Sequence, residues 1–180
     1  AVQAKEASAA AIATAPAQTA KPGLWVLRDE DTTIYLFGTV HFLKADTKWQ
    51  NSHVTQAFTS ADTLILEVEL PENQADMAQA ILPLAMAKGT LPLSQRLTKQ
   101  DRTAYHAALA AYGMPPSAFD AFKPWFAATT LSLMPAMQAG YNPAQGVEYI
   151  LTAQAKAQAK KVEALETIQQ QLGYFDQLSP

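Results

Sequence analysis

The 180-residue chain sets 13 Lys and Arg against 16 Asp and Glu, a net charge of −3, and 49% of its residues are hydrophobic. That is enough apolar material for one good core and cramped for a second; the basic residues are scattered, with no basic face for a phosphate backbone, so nucleic acid is set aside as a partner. The absence of cysteine excludes a disulfide framework, thiolate metal sites and a cysteine nucleophile, and no apolar run approaches the ~20 residues of a membrane-spanning helix.

The first stretch, Ala1 to Ala20, is almost entirely Ala, Gln, Thr and Ser. It has no face of large apolar side chains to dock and is expected to be a flexible tail, with the domain proper running over 21–180. An Ala-rich start without Met is what cleavage at small residues leaves, so a periplasmic or secreted protein is expected.

Leu24 to Leu27 and Thr32 to Phe37 are strand-like runs separated by Arg28, Asp29, Glu30 and Asp31, which predicts a β-hairpin. The second arm, Thr33-Ile34-Tyr35-Leu36-Phe37, has no charge and reads as a strand buried on both faces, internal to its sheet. Gly38 follows it and delivers His41 to the carboxyl end of the strand, where open α/β sheets bind ligands. A lone histidine after a strand is usually an ordinary loop or core residue, so His41 needs partners before it means anything.

Asp46 or Thr47 is the expected cap of a helix containing Trp49, His53, Val54, Ala57 and Phe58 and ending near Ser60. Thr63 to Leu70 is then a strand, parallel to Thr33–Phe37 through a crossover helix and expected beside it. Its alternation puts Leu64, Leu66, Val68 and Leu70 on one face and Ile65, Glu67 and Glu69 on the other. Both glutamates fit a solvated strand end; Glu67, deeper in the strand, is the better candidate for chemistry.

The region of about 72–140 is helical and reads as an inserted layer or lid. It holds one helix from Glu72 to Lys88 with a kink at Pro83, another capped by Thr98 and Asp101 and ended by Gly113, and an aromatic stripe of Phe119, Phe122, Trp125 and Phe126 read as core. His106 is a surface or packing histidine on this pattern. Asn142 to Glu148 is a loop into a further helix, which feeds the strand Val162 to Glu166, with Thr167 as the next cap. The fold class is α/β, with α+β as the other possibility: a central mixed β-sheet, an N-terminal hairpin, a parallel βαβ unit and the helical insertion.

Three strands thus end in His41, Glu67 and Glu166. One imidazole and two carboxylates make a mixed nitrogen and oxygen donor set suited to Zn²⁺, Mn²⁺, Co²⁺ or Fe²⁺. A bound water would be acidified and could attack a carbonyl, with a carboxylate outside the ligand set, Glu67 or Glu166, as base. The arrangement requires both carboxylates on the side of the sheet that His41 occupies.

The ordered series Leu36-Phe37-Gly38-Thr39-Val40-His41, Leu64-Ile65-Leu66-Glu67, Lys123-Pro124-Trp125, Gly146-Val147-Glu148 and Leu165-Glu166-Thr167, with Gln171 following, resembles the TraB/PrgY/GumN family. The resemblance runs from Leu24 to the end of the chain and reaches, by fold, to the Tiki metalloproteases, the erythromycin esterases and the haem-binding ChaN-like proteins. It implies a metal-dependent hydrolase of peptide or small-molecule ester bonds built on a GxxH motif, here Gly38 and His41, with Glu67 as an acidic site residue and Glu166 in support. The family usually has Asp where this chain has Glu148, and it carries a second GxxH that this chain lacks, so the chain is expected to be truncated before that motif and could be inactive in that form. The other reading is a non-catalytic protein that sequesters a peptide, haem or a metal; a fragment with no intact site is the blandest.

Overall fold

The computed structural model describes residues 20–71, 74–89 and 91–177. The expected tail, apart from Ala20, and the first residues of the helix expected from Glu72 lie outside the described residues. The chain is a mixed α/β fold with an antiparallel hairpin and a parallel β-α-β unit. Strands β1 (Leu24–Arg28) and β2 (Thr33–Phe37) form the hairpin. Its turn is held by Asp29, whose Oδ1 accepts from the backbone N–H of Thr32 at 2.8 Å.

Strand β3 (Thr63–Val68) pairs in parallel with β4 (Lys161–Glu166), Leu66 opposite Ala164 and Val68 opposite Glu166. The expected pairing of β2 with β3 is not formed: hairpin and parallel pair are separate two-stranded sheets. The chain after β2 shows why. Leu43 and Asn142 bridge the loop to the approach of α6 (Val147–Ala157), and the Val147 N–H donates to Val40 O at 3.1 Å. The carboxyl end of β2 is therefore bound to the start of α6, while α6 itself delivers β4 alongside β3. Nor is β2 buried on both faces: Tyr35 and Phe37 turn inward, but Ile34 and Leu36 are half exposed.

Helix α1 (Ser52–Ser60) begins later than Asp46 or Thr47 would place it. Asn51 is the cap, its side chain accepting from the Val54 N–H at 3.1 Å, and Trp49 stands ahead of the helix. At 5% exposure Trp49 is the centre of a core with Val54, Val147 and Leu151, against which Phe37, Leu43, Phe58 and Leu64 pack. The inner faces of both sheets thus meet one cluster supplied largely by α1 and α6. A reciprocal pair of amide hydrogen bonds between Gln50 and Gln154, each 3.0 Å, fastens the entry of α1 to α6.

Between β3 and α6 lie α2 (Gln74–Ala85), α3 (Leu93–Arg96), α4 (Lys99–Ala111) and α5 (Pro124–Gln138). A second core of Leu93, Leu109, Phe119 and Ala127 holds this layer, with Phe122 stacked on Phe126 at 4.8 Å between ring centroids. Burial, with the Asp120 carboxylate adding to it, raises the Tyr105 hydroxyl above its usual pKa here. Trp125 leaves this core to stack on Phe175 of α7 (Ile168–Asp176). No helix among the described residues is long and apolar enough to cross a membrane.

Thr98 caps α4 as its position before a helical run requires, accepting from the Asp101 N–H at 3.2 Å and donating to the Asp101 carboxylate at 2.6 Å. Thr98→Ala will lower stability by about 1 kcal/mol, read as a shift in the urea midpoint with an unchanged slope. An unchanged midpoint would mean that water serves the end of α4 equally well.

Candidate functional site

His41 lies four residues beyond the end of β2, on the loop sewn to the start of α6. Its partner is Glu148, in the first turn of that helix: His41 Nδ1 stands 3.0 Å from Glu148 Oε1. The Thr39 hydroxyl donates to the same carboxylate oxygen. The imidazole is 66% exposed while the carboxylate behind it is only 11% exposed. A carboxylate in the first turn of a helix gains from the unpaired N–H groups and the positive end of the dipole there, which helps a mostly buried anion persist.

The close join between loop and helix depends on Gly146, the cap residue of α6. Its φ of −59° suits any residue, so the requirement is one of space. A Cβ built there would run into the carbonyl oxygen of His41 and lie 2.9 Å from that of Pro143. Gly38, the glycine of the motif, is less constrained, since its Cβ would meet only Gly23 O at an ordinary 3.7 Å.

Glu67 and Glu166 are placed elsewhere. Both are engaged by α7: Glu67 Oε1 accepts from Gln171 Nε2 at 2.8 Å, and Glu166 Oε1 lies 3.5 Å from the Tyr174 hydroxyl. Strand alternation sends Glu67 to the outer face with Ile65, whereas Glu166, in register with Val68, belongs to the inner face. The described residues contain no group of three His, Asp or Glu side chains able to hold a metal ion. His41 with Glu148 matches a single imidazole ligand backed by a carboxylate, but His41, Glu67 and Glu166 do not form the expected donor set.

The pair at His41 defines simple chemistry. A carboxylate beside Nδ1 favours the tautomer that carries its proton there, and in that tautomer Nε2 is the ring's acceptor, able to take a proton or bind a cation. Thr39 and Glu148 were missed as site residues by reading strand ends. The available signal was the acidic residue in the first turn after the Gly146 join, two residues past a glycine.

A model of the TraB/PrgY/gumN family matches residues 23–180, and the chain belongs to that family. Among curated proteins, the Escherichia coli (strain K12) protein titled "Uncharacterized protein YbaP" is 26% identical over 144 residues, 80% of this chain and 52% of YbaP. The Shigella flexneri protein of the same title gives the same figures. The chain spans about half the length of the curated relatives it matches. No solved structure matches it.

Proposed function

We propose that the protein is a hydrolase of peptide or small-molecule ester bonds, with His41 meeting the substrate and Glu148 holding His41. The observation that carries this reading is the solvent-facing imidazole fixed at Nδ1 by a buried carboxylate 3.0 Å away. In the reaction, Nε2 takes a proton from water as the water oxygen attacks the carbonyl carbon. Glu148 stabilises the imidazolium so formed, and the same proton passes to the departing amine or alkoxide. Thr39 donates to the same Glu148 oxygen and helps hold it in place. Metal dependence belongs to the proposal on the strength of the family alone; no step is assigned to an ion, because the donors at hand do not make a set. Action in the periplasm or outside the cell is part of the same proposal; the cysteine-free composition is compatible with any compartment.

The test is turnover of a p-nitrophenyl ester and a fluorogenic peptide by the protein at the length its own gene encodes, with and without added Zn²⁺ or Mn²⁺, beside elemental analysis. His41→Ala is expected to lower kcat/KM by about 100-fold to 10,000-fold, and Glu148→Gln by a similar order. Turnover indifferent to both substitutions would sink the assignment. A second reading, a peptide-binding protein without turnover, is favoured by an open groove of about 750 Å³ floored by Leu66, Val162 and Ala164 and rimmed by Glu69, Glu163 and Lys156. No histidine lines that groove, so it suits an extended peptide better than haem. Saturable peptide binding with no product would select this reading.

A further inference from the structure

The loop that carries His41 holds a second placed side chain at its far end. Leu43 and Asn142 exchange both backbone hydrogen bonds, at 3.4 and 2.9 Å, and Val40 O accepts from the Val147 N–H at 3.1 Å. Residues 40–44 therefore run antiparallel to 141–147, with His41 near one end and Lys44 beside Tyr141 at the other. Leu43 packs against the Trp49 core, while Lys44 and His41 are both open to solvent.

Tyr141 fixes where the Lys44 ammonium lies. Helix α5 ends in a Schellman motif: the N–H of Gly140, at a φ of 88°, donates to Met137 O and that of Tyr141 to Ala136 O, each at 3.0 Å. Tyr141 is thereby held at the end of α5, and Lys44 Nζ sits 5.2 Å from the centre of its ring. Other lysines of the fold are committed. Lys160, also over a ring, that of Phe58, donates to Thr59 O and Ala61 O, and Lys161 pairs with Glu163. Among the described residues Lys44 has no carboxylate or carbonyl partner, and Asp46, two residues on, makes no ion pair with it. Of residues 39–44 and 141–148, only Lys44 and Glu148 carry a charge beside the imidazole. Glu148 is 11% exposed and engaged by Nδ1, so Lys44 is the charge that a molecule approaching His41 meets.

Three residues of chain separate the two side chains, at most ~11 Å between Cα atoms. We propose that Lys44 is a specificity-determining residue of the His41 site: it favours substrates that carry a carboxylate, from an acidic side chain or a free peptide terminus, on the order of three residues from the bond that is cleaved. The proposal rests on the hydrolase reading of His41.

The test uses the protein at the length its own gene encodes and internally quenched peptides whose cleaved bond is located by mass spectrometry. They are made in pairs, Glu against Gln at each position about two to four residues either side of that bond, with a further pair that differs in a free or amidated carboxyl terminus. In the responding pair the carboxylate peptide is expected to show kcat/KM about threefold to fivefold above its neutral twin, the difference lying in KM, as an exposed ion pair supplies. Lys44→Gln brings the ratio to one, Lys44→Glu inverts it, and about 0.5 M NaCl flattens it in the unsubstituted protein. Which pair responds identifies the source of the carboxylate. A ratio of one without substitution, or one that survives both substitutions, overturns the proposal; each ratio compares two substrates of one preparation, so a folding defect does not imitate the loss. Absence of any turnover sensitive to His41→Ala sinks the hydrolase reading instead. Fluorescence anisotropy with the same peptides then decides on Lys44 alone: tighter binding of the carboxylate peptide, lost in Lys44→Gln, upholds it as a recognition residue, and equal affinities overturn it.

Discussion

Trp49→Ala will destabilise the fold by about 3–5 kcal/mol, the range for emptying a large aromatic from a packed core. The whole stability of such a domain is on the order of 5–15 kcal/mol, so the variant will keep only part of its structure at ordinary temperature. Trp49 has few substitutes because it joins pieces that have no hydrogen-bonded ladder in common. Its ring meets Phe37 of β2 at 6.0 Å between centroids, and its cluster includes Val54 of α1 with Val147 and Leu151 of α6. Among the described residues the hairpin pairs only with itself; this contact, the Ser60 hydroxyl donating to the Tyr35 hydroxyl at 3.1 Å, the Ala20 N–H donating to Lys48 O at 2.9 Å ahead of β1 and the loop beyond Gly38 help hold it to the body. Hydrogen exchange should show the amides of β1 and β2 losing protection before those of β3 and β4, and Trp49→Phe should restore most of the difference. Uniform loss across all four strands would mean that the hairpin is anchored mainly through its loop.

The parts of this fold legible in the sequence are those decided locally. Asp29 to Asp31 must turn, Thr98 must cap, Gly113 must end a helix at a positive φ of 67°, and Thr167 with Gln170 closes a reciprocal capping box; each follows from side chains within a few residues. Thr33 to Phe37 is equally clear as a strand. What its composition does not contain is how many faces are covered, and an apolar strand with one bare face reads the same as one buried on both. The partner of β3 is likewise a long-range fact. A helix after β2 argued for β2 and β3 as neighbours, but the loop after Gly38 is tied by backbone bonds to Asn142 and Val147, and no side-chain pattern announces backbone bonds.

The site divides along the same line. His41 is visible because Gly38 delivers it to the carboxyl end of a strand, where open α/β sheets bind ligands. Glu67 and Glu166 drew attention because strand ends open toward one edge in a single parallel sheet, and that premise fails when β2 stands apart from β3 and β4. Glu148 is in view as the end of the loop from Asn142 and as the motif position where the family usually has Asp, but no spacing in the sequence pairs it with His41. In the fold it serves the helix dipole and His41 together, and only the approach of the loop reveals the second role.

That approach makes Gly146→Ala the sharpest local test. Added methyl groups in well-packed sites cost about 1–3 kcal/mol because rotamers and backbone must shift, and here the obstruction is backbone on two sides, the carbonyls of His41 and Pro143. The substitution should lower the urea midpoint accordingly. It should also push the His41 loop away from α6, lengthening the Val147 N–H to Val40 O bond and separating His41 Nδ1 from Glu148. The imidazole nitrogen resonances of His41, one of three histidines in the chain, should then change from a fixed Nδ1-protonated form toward the mixture of tautomers of a free side chain. Gly173→Ala supplies the contrast, since Gly173 lies within α7 with nothing inside 4 Å of its added Cβ; there alanine should raise stability by up to about 1 kcal/mol through helix propensity. Opposite signs at the two glycines would show that Gly146 is required by contact with the His41 loop. A harmless Gly146→Ala with unchanged His41 resonances would mean that loop and helix are joined loosely, and the His41–Glu148 pair would lose its standing as a fixed site.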